Sequence, residues 1–260
     1  MSVEFIVFTK PWRLALPELA AHVAALGFAG VELPVRPGYP VTPEDVGQRL
    51  PQAVAILGQA GLRIRSVAGP TDAATIAACA ECGVPLIRVC IGIPAGAAYL
   101  EHEAAVRARL AALVPLLQDS GVRIGIQNHS GRDFGSALAV RRLLEGLDPR
   151  HLGAVWDPAH CALAGEPPEY AADILWSHLC LLNLKNGMWQ RTNGPEAALA
   201  QYGHYWTSGA QGLCSWPAVA AEARRRGYAG PVCLTAEYSA AHEVDRLIAA
   251  DLALARSLWS

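Results

Sequence analysis

The chain has 260 residues, 52% of them hydrophobic and 17% charged, with a mean hydropathy of +0.23, and that much apolar surface excludes a disordered chain. A formal net charge of -2 and a sequence pI of about 6.4, without a basic stripe, exclude the electrostatic footprint of a nucleic-acid binder. No uninterrupted apolar run reaches the roughly 18 residues of a membrane-spanning helix.

The first residues, MSVEFIVFTK, are too acidic and too short for a signal peptide and read directly as a strand. Residues 3–9, 30–35, 63–68, 86–92, 123–129, 152–157, 179–186 and 232–238 are eight short runs, each nearly continuous in apolar residues. Strands buried on both faces have that pattern. Helical patterns lie between them, clearest in LPELAAHVAALG, VGQRLPQAVAILGQAG, EAAVRARLAALVPLLQDSG, ALAVRRLLEGL, WPAVAAEARRRG and VDRLIAADLALARSLW. Several stop at glycine, at Gly27, Gly61, Gly121 and Gly227, the residue that closes a helix without a Cβ clash. Strand and helix alternating eight times predict an α/β chain folded as a (β/α)8 TIM barrel. No linker or charge block divides it, so residues 1–260 read as one domain. The turn after the first run, TKPWRLALP, has no glycine, which disfavours a nucleotide-binding open sheet. No nucleotide or organic cofactor is expected.

Seven cysteines are scattered along the chain. Without an export signal they read as reduced thiols of a cytoplasmic protein. Cys79 and Cys82 form a single CxxC in an alanine-rich segment, and a zinc ribbon needs a second pair. Arg224, Arg225 and Arg226 precede Gly227 and suit a helix C-terminus. The segment from Gly187 to Ser215 is long and aromatic, with Trp189, Tyr202, His204, Tyr205 and Trp206. It reads as a loop at the barrel mouth, forming a lid or pocket wall.

In a barrel, function sits at the C-terminal strand ends. Here they carry Glu32; Gln127, Asn128 and His129; Asp157 and His160; Asn183, Lys185 and Asn186; and Glu237. Residues i and i+2 share a face, so Gln127 pairs with His129 in direction, and Asn183 with Lys185. Any one of them could be a hydrogen-bonded core residue. Five strands ending alike predict a convergent polar pocket, because such groups are costly in apolar strands unless paired or used.

These residues, with GFAGVEL at 27–33, DPAH at 157–160, NLKN at 183–186, GAQGLCSW at 209–216 and GYAGPVCLTAEYS at 227–239, resemble the xylose-isomerase-like TIM barrels, the broad group of sugar-phosphate isomerases and epimerases. The resemblance implies a divalent metal held by Glu, Asp, His and Glu at the ends of strands five to eight. Those positions here are Gln127, Asp157, Asn183 and Glu237, so two neutral amides replace a carboxylate and an imidazole. Amide oxygens bind hard cations, so the resemblance leaves a weakened site for Mn²⁺ or Mg²⁺, with Asp157 and Glu237 as ligands. His160 is a candidate third ligand, because DPAH is similar to the Asp-x-x-His of DNA-repair relatives.

The resemblance further implies proton transfer between two glutamates, and the first of these is Gln127, which accepts no proton. Glu237 remains as base, with Lys185 as electrostatic stabiliser and His160 as a metal or substrate anchor. Glu32, Gln127, His129 and Asn183 would bind substrate hydroxyls, and Trp189 or Trp206 would stack on the sugar. Alternatively, Lys185 forms an ion pair with Asp157 or Glu237 that only holds the barrel mouth. The leading expectation is an isomerase or epimerase of a small sugar or polyol ketone. The alternatives are a lyase that dehydrates a cyclic polyol ketone and a sugar-binding barrel without turnover. The expected partner is a small carbohydrate-like molecule, with no nucleic acid and no membrane. A homodimer is expected by analogy with the group.

Overall fold

The computed structural model describes residues 3–260. Its strands, in chain order, are β1 (Glu4–Phe8), β2 (Gly30–Pro34), β3 (Arg63–Ala68), β4 (Leu86–Val89), β5 (Arg123–Gln127), β6 (Leu152–Trp156), β7 (Leu179–Leu184), β8 (Asn186–Arg191), β9 (Tyr202–Thr207) and β10 (Pro231–Leu234). The closed barrel runs β1-β10-β7-β6-β5-β4-β3-β2, and every neighbouring pair is parallel. Around it lie α1 (Leu16–Leu26), α2 (Val46–Gln59), α3 (Ala73–Glu81), α4 (Tyr99–Ser120), α5 (Ala137–Leu144), α6 (Pro158–Leu163), α7 (Pro168–Leu175), α8 (Trp216–Arg225) and α9 (Val244–Trp259). This is the (β/α)8 barrel that the alternation predicts. Gly27 and Gly121 end α1 and α4 with φ of 87° and 69°, conformations that a Cβ would penalise. None of the described helices is long and apolar enough to cross a membrane.

Two apolar clusters hold the barrel. The larger packs its outer face against the helices, and the smaller fills the interior floor with Ile6, Phe8, Ala68, Leu86, Val155, Leu181 and Cys233. Cys79 is buried in α3, where desolvation, with Cys82 beside it, pushes the thiol up to about 12. It is an inert core residue, and all seven cysteines are free. Arg224 and Arg225 lie in the last turn of α8 and Arg226 caps it.

The structure differs from the sequence reading at three places. The segment after β7 is no simple loop, because β8 and β9 form an antiparallel hairpin. Its short alternation of polar and aromatic residues lacks the apolar continuity that marks the barrel strands. Several barrel strands end earlier than their apolar runs: β4 stops at Val89 and β10 at Leu234. Glu237 therefore stands on a loop beyond the ladder. Lastly, α6 and α7 fill the space between β6 and β7. Both are too short to show helical periodicity, and each starts on a proline in its first turn, a position that needs no N–H.

Candidate active site

Alternation along the strands stacks the barrel interior in layers. Leu86 is followed inward by Arg88 and Cys90, Val155 by Asp157, and Leu181 by Asn183 and Lys185. The lower layer is apolar and the upper layers are polar, which places every polar strand end at one mouth of the barrel.

The middle layer is a belt of paired groups. Glu32 accepts from Arg88 Nε at 2.9 and 2.8 Å, pairs with Arg88 Nη2 at 2.7 Å, and accepts from Ser66 Oγ at 3.0 Å. Arg88 Nη1 donates to Gln127 Oε1 at 2.6 Å, and Gln127 Nε2 donates to Asp157 Oδ2 at 2.8 Å. Asp157 Oδ1 caps α6 by accepting the backbone N–H groups of Ala159 and His160. Asn128 clamps the Asp157 backbone from both sides. Asp157 is fully buried. That burial pushes its carboxyl up to about 6, against the Lys185 ammonium and the His160 amide. Asn183 is buried in the same layer, and neither amide atom has a hydrogen-bond partner.

Above the belt stands Glu237. Ala236, just before it, has a left-handed φ of 53°, a conformation costing an alanine about 1–2 kcal/mol. This turns the chain out of the strand direction. The Glu237 carboxylate lies between two ammonium groups, accepting from Lys185 Nζ at 2.9 Å and from Lys10 Nζ. Burial pushes its carboxyl up, but Lys185 and then Lys10 reverse this and hold it at about 2. Lys185 also lies 3.8 Å from the Trp206 ring centroid, a cation–π contact. Trp206 can lie there because residue 187 is glycine; a Cβ at Gly187 would stand 2.6 Å from the indole.

Three histidines complete the mouth. His160 Nδ1 accepts the Ser130 backbone N–H at 3.1 Å, which puts the proton of the neutral ring on Nε2. That Nε2 has no hydrogen-bond partner and lies 3.7 Å from Asp157 Oδ2. Burial, with Lys185 and the neighbouring histidines, holds His160 far below the usual imidazole range, so it stays neutral. His129 Nδ1 faces two acceptors, the Ser130 carbonyl at 2.9 Å and Asp133 Oδ2 at 3.2 Å. It therefore carries the hydrogen, and in the neutral ring Nε2 keeps a free lone pair. His204 Nε2 meets Ser130 Oγ at 3.1 Å. Trp189, His204 and Trp206 stack in a row on the hairpin. Trp189 is the outer member, anchored by its indole N–H to the Leu163 carbonyl at 3.1 Å.

The structure thus brings Glu237, Lys185, His160, His129 and Trp206 to one mouth and gives several other residues different work. Glu32 is fully buried with both oxygens paired to Arg88, so it braces that guanidinium. Gln127 spends both ends of its amide inside the belt. Asn186 ties down the 209–214 turn by donating to the Gly209 and Cys214 carbonyls. Trp189 contacts the mouth through His204 rather than directly.

The expected metal set does not fit this arrangement. The Gln127 carbonyl is taken by a guanidinium, both Glu237 oxygens by ammonium groups, and the Asp157 oxygens by amide donors. His160 offers an N–H at the nitrogen nearest Asp157 and no lone pair. Among the described residues, no three His, Cys, Asp or Glu side chains are placed to hold a metal ion. Lys185, Lys10 and Arg88 would also repel a divalent cation. Protein purified without a metal-binding tag, incubated with excess Mn²⁺ and desalted, is expected to retain only substoichiometric metal by ICP-MS. One metal per chain, lost in Asp157→Ala, would overturn this assignment.

Lys10, Arg88 and Ser130 escaped the sequence reading, and His204 entered it only as a member of the aromatic segment at the mouth. For Arg88 and Lys10 the signal was present. Arg88 interrupts the apolar run LIRVCIG two residues after Leu86, as Lys185 interrupts its own strand, and Lys10 follows Phe8 at the same spacing. Ser130 carried no local signal.

Comparison with known proteins places the barrel in a wider group. A family model described as xylose isomerase-like TIM barrel matches residues 20–258. Among solved structures, the chain is similar to 3-keto-D-glucoside 4-epimerase from E. coli, with 14% identity over 98% of this chain and 100% of that one and a TM-score of 0.76. It is similar to D-psicose 3-epimerase from Clostridium cellulolyticum H10, at 13% identity over 99% and 100%, with a TM-score of 0.73. A probable 3-DHS dehydratase from Bacillus anthracis matches at 15% identity over 97% and 98%, with a TM-score of 0.74. At these identities the likeness is one of fold. No curated protein matches the sequence.

Proposed function

The chain belongs to the xylose isomerase-like TIM barrel family, and on that footing we propose that it removes a proton next to the carbonyl of a small sugar or polyol ketone, as an isomerase or epimerase. The observation that carries this reading is the Glu237 carboxylate gripped between the Lys185 and Lys10 ammonium groups at the barrel mouth. A carboxylate held at about 2 is ionised but a weak base. A substrate carbonyl oxygen arriving at Lys185 changes both partners. The ammonium turns to the oxygen and makes the adjacent C–H more acidic, while Glu237 loses its strongest neighbour and gains proton affinity. Glu237 takes the proton, and the enediolate oxygen rests against the ammonium. His129, with Nδ1 fixed by Ser130 and Asp133, offers Nε2 to move a proton on the other side. Trp206 supplies an apolar platform for the C–H face of a sugar. In this reading Lys185 provides the positive charge that the resemblance assigns to a metal.

One carboxylate and one imidazole are also what elimination of water requires, so the dehydratase reading shares the first step. Proton NMR in D₂O over a panel of ketoses and cyclic polyol ketones separates the two. Deuterium gained at the carbon next to the carbonyl, with all hydroxyls kept, is the expected result. Loss of a hydroxyl marks a lyase, and saturable binding without exchange marks a binding protein. Glu237→Gln is expected to slow exchange by about 10²–10⁴-fold, the usual contribution of a positioned base. Full exchange in that variant would remove Glu237 from the base role.

A further inference from the structure

We infer that Asp251, on α9, is a positioning residue for the Lys185–Glu237 pair, a role that rests on the proton-abstraction reading of the same site. Its two carboxylate oxygens tie together the segments that carry the pair. Glu237 lies beyond the barrel ladder. The Thr235 N–H still bonds the Leu184 carbonyl at 3.1 Å, and the left-handed Ala236 follows. A strained residue of this kind persists only where its surroundings fix it. Here the two residues after Glu237 do so. The Tyr238 hydroxyl donates to Asp251 Oδ2 at 2.8 Å. Ser239 joins β9, donating its N–H to the Trp206 carbonyl at 3.0 Å and accepting the Trp206 N–H on Oγ at 2.9 Å.

The other Asp251 oxygen serves the Lys185 side. Oδ1 accepts the Gly209 N–H at 2.8 Å. The Gly209 carbonyl accepts from Asn186 Nδ2 at 2.9 Å, and Asn186 is the residue after Lys185. Gly209 also lies against the Trp216 indole, where a Cβ would stand 2.5 Å from the ring. That indole N–H donates to the Lys185 carbonyl at 3.1 Å. One carboxylate thus fixes both the chain that follows Glu237 and the turn that backs Lys185. Asp251 is buried, and among the described residues no cation pairs with it. Burial pushes its carboxyl up to about 6, against the Gly209 N–H and the Tyr238 hydroxyl. A buried acid without a cationic partner is costly, so helix packing alone would favour an apolar residue at this place.

Three substitutions test this. Tyr238→Phe removes one hydroxyl and releases the Glu237 side alone, and Asp251→Ala releases both sides. Asp251→Asn keeps both bonds, since an amide accepts from Gly209 and donates to the tyrosine oxygen. Crystal structures of the parent and the variants report the separation of Lys185 Nζ from Glu237 Oε2, 2.9 Å here. The pair is expected to leave hydrogen-bond distance in Tyr238→Phe and Asp251→Ala and to keep it in Asp251→Asn. On a ketose that the parent exchanges in D₂O, kcat should fall about 10²-fold in the same two variants, the cost of ångström-scale misplacement. KM should stay near the parent's, and Asp251→Asn should recover most of the rate. Loss of stability alone lowers the melting temperature and moves neither the separation nor the rate of the folded chain. If Asp251→Ala does not fold, Tyr238→Phe decides. An unchanged separation in Tyr238→Phe means that the two ammonium groups hold Glu237 unaided and overturns the inference, as does a rate in Asp251→Asn as low as in Asp251→Ala. Failure of the function reading is separate. A parent that exchanges no compound sinks that reading, and the separation in the crystal still decides this one.

Discussion

Lys185→Met is expected to lower the exchange rate by about 10²–10³-fold, the loss seen when one oxyanion donor is removed, in a protein that still folds. The folded state tolerates the change because Glu237 keeps Lys10 as its partner and the methionine chain still packs under Trp206. What disappears is the charge that faces the developing enediolate. A second readout separates this role from mere pairing. After burial, which pushes Glu237 up, Lys185 is the largest influence on its carboxyl and holds it down. Without Lys185 that carboxyl rises towards the ordinary carboxylate range. The acid limb of the pH–rate profile reports ionised Glu237, so it should move to higher pH in Lys185→Met. Lys185→Arg should restore the position of the limb but only part of the rate, since a guanidinium keeps the charge and not the point geometry. A full rate with an unmoved limb would leave Lys185 as an ion pair that holds the barrel mouth and nothing more.

Arg88→Met is expected to cost about 3–5 kcal/mol of folding stability, the range for breaking a buried ion pair from one side. Glu32 is fully buried and Arg88 nearly so, so the abandoned carboxylate finds no water. The damage extends along the belt, because the Gln127 carbonyl also loses its donor. Denaturant unfolding should show a lowered midpoint with an unchanged slope. Adding Glu32→Gln to Arg88→Met should recover part of the loss, since a neutral amide is less costly to bury than an unpaired charge. A midpoint within experimental error of the parent would mean that water reaches Glu32 and that the belt is not dry.

The barrel and its polar end are legible in the sequence because both are local signals. Apolar runs of strand length, helical periodicity and glycine stops lie within a few residues of one another, and i, i+2 alternation placed Asn183 with Lys185. The hairpin of β8 and β9 was not legible. It gains its stability from aromatic stacking over the mouth, where Trp206 meets Lys185 and His204 meets Trp189. The same limit applied to Glu32 and Gln127. Their side chains suit substrate hydroxyls, and only their neighbours reveal that they are already occupied.

The sequence by itself determined that polar residues end five strands at one mouth and that two ligand positions of the resembling family hold amides. It could not determine whether the remaining carboxylates are ligands, bases or ion-pair partners. Arg88 reaches Glu32 across 56 residues, Lys185 reaches Glu237 across 52, and Lys10 reaches it across 227. Closure of the barrel brings these charges together at and below its mouth, where burial removes much of the water around them. There a pairing that is worth little in water holds the Glu237 carboxyl down.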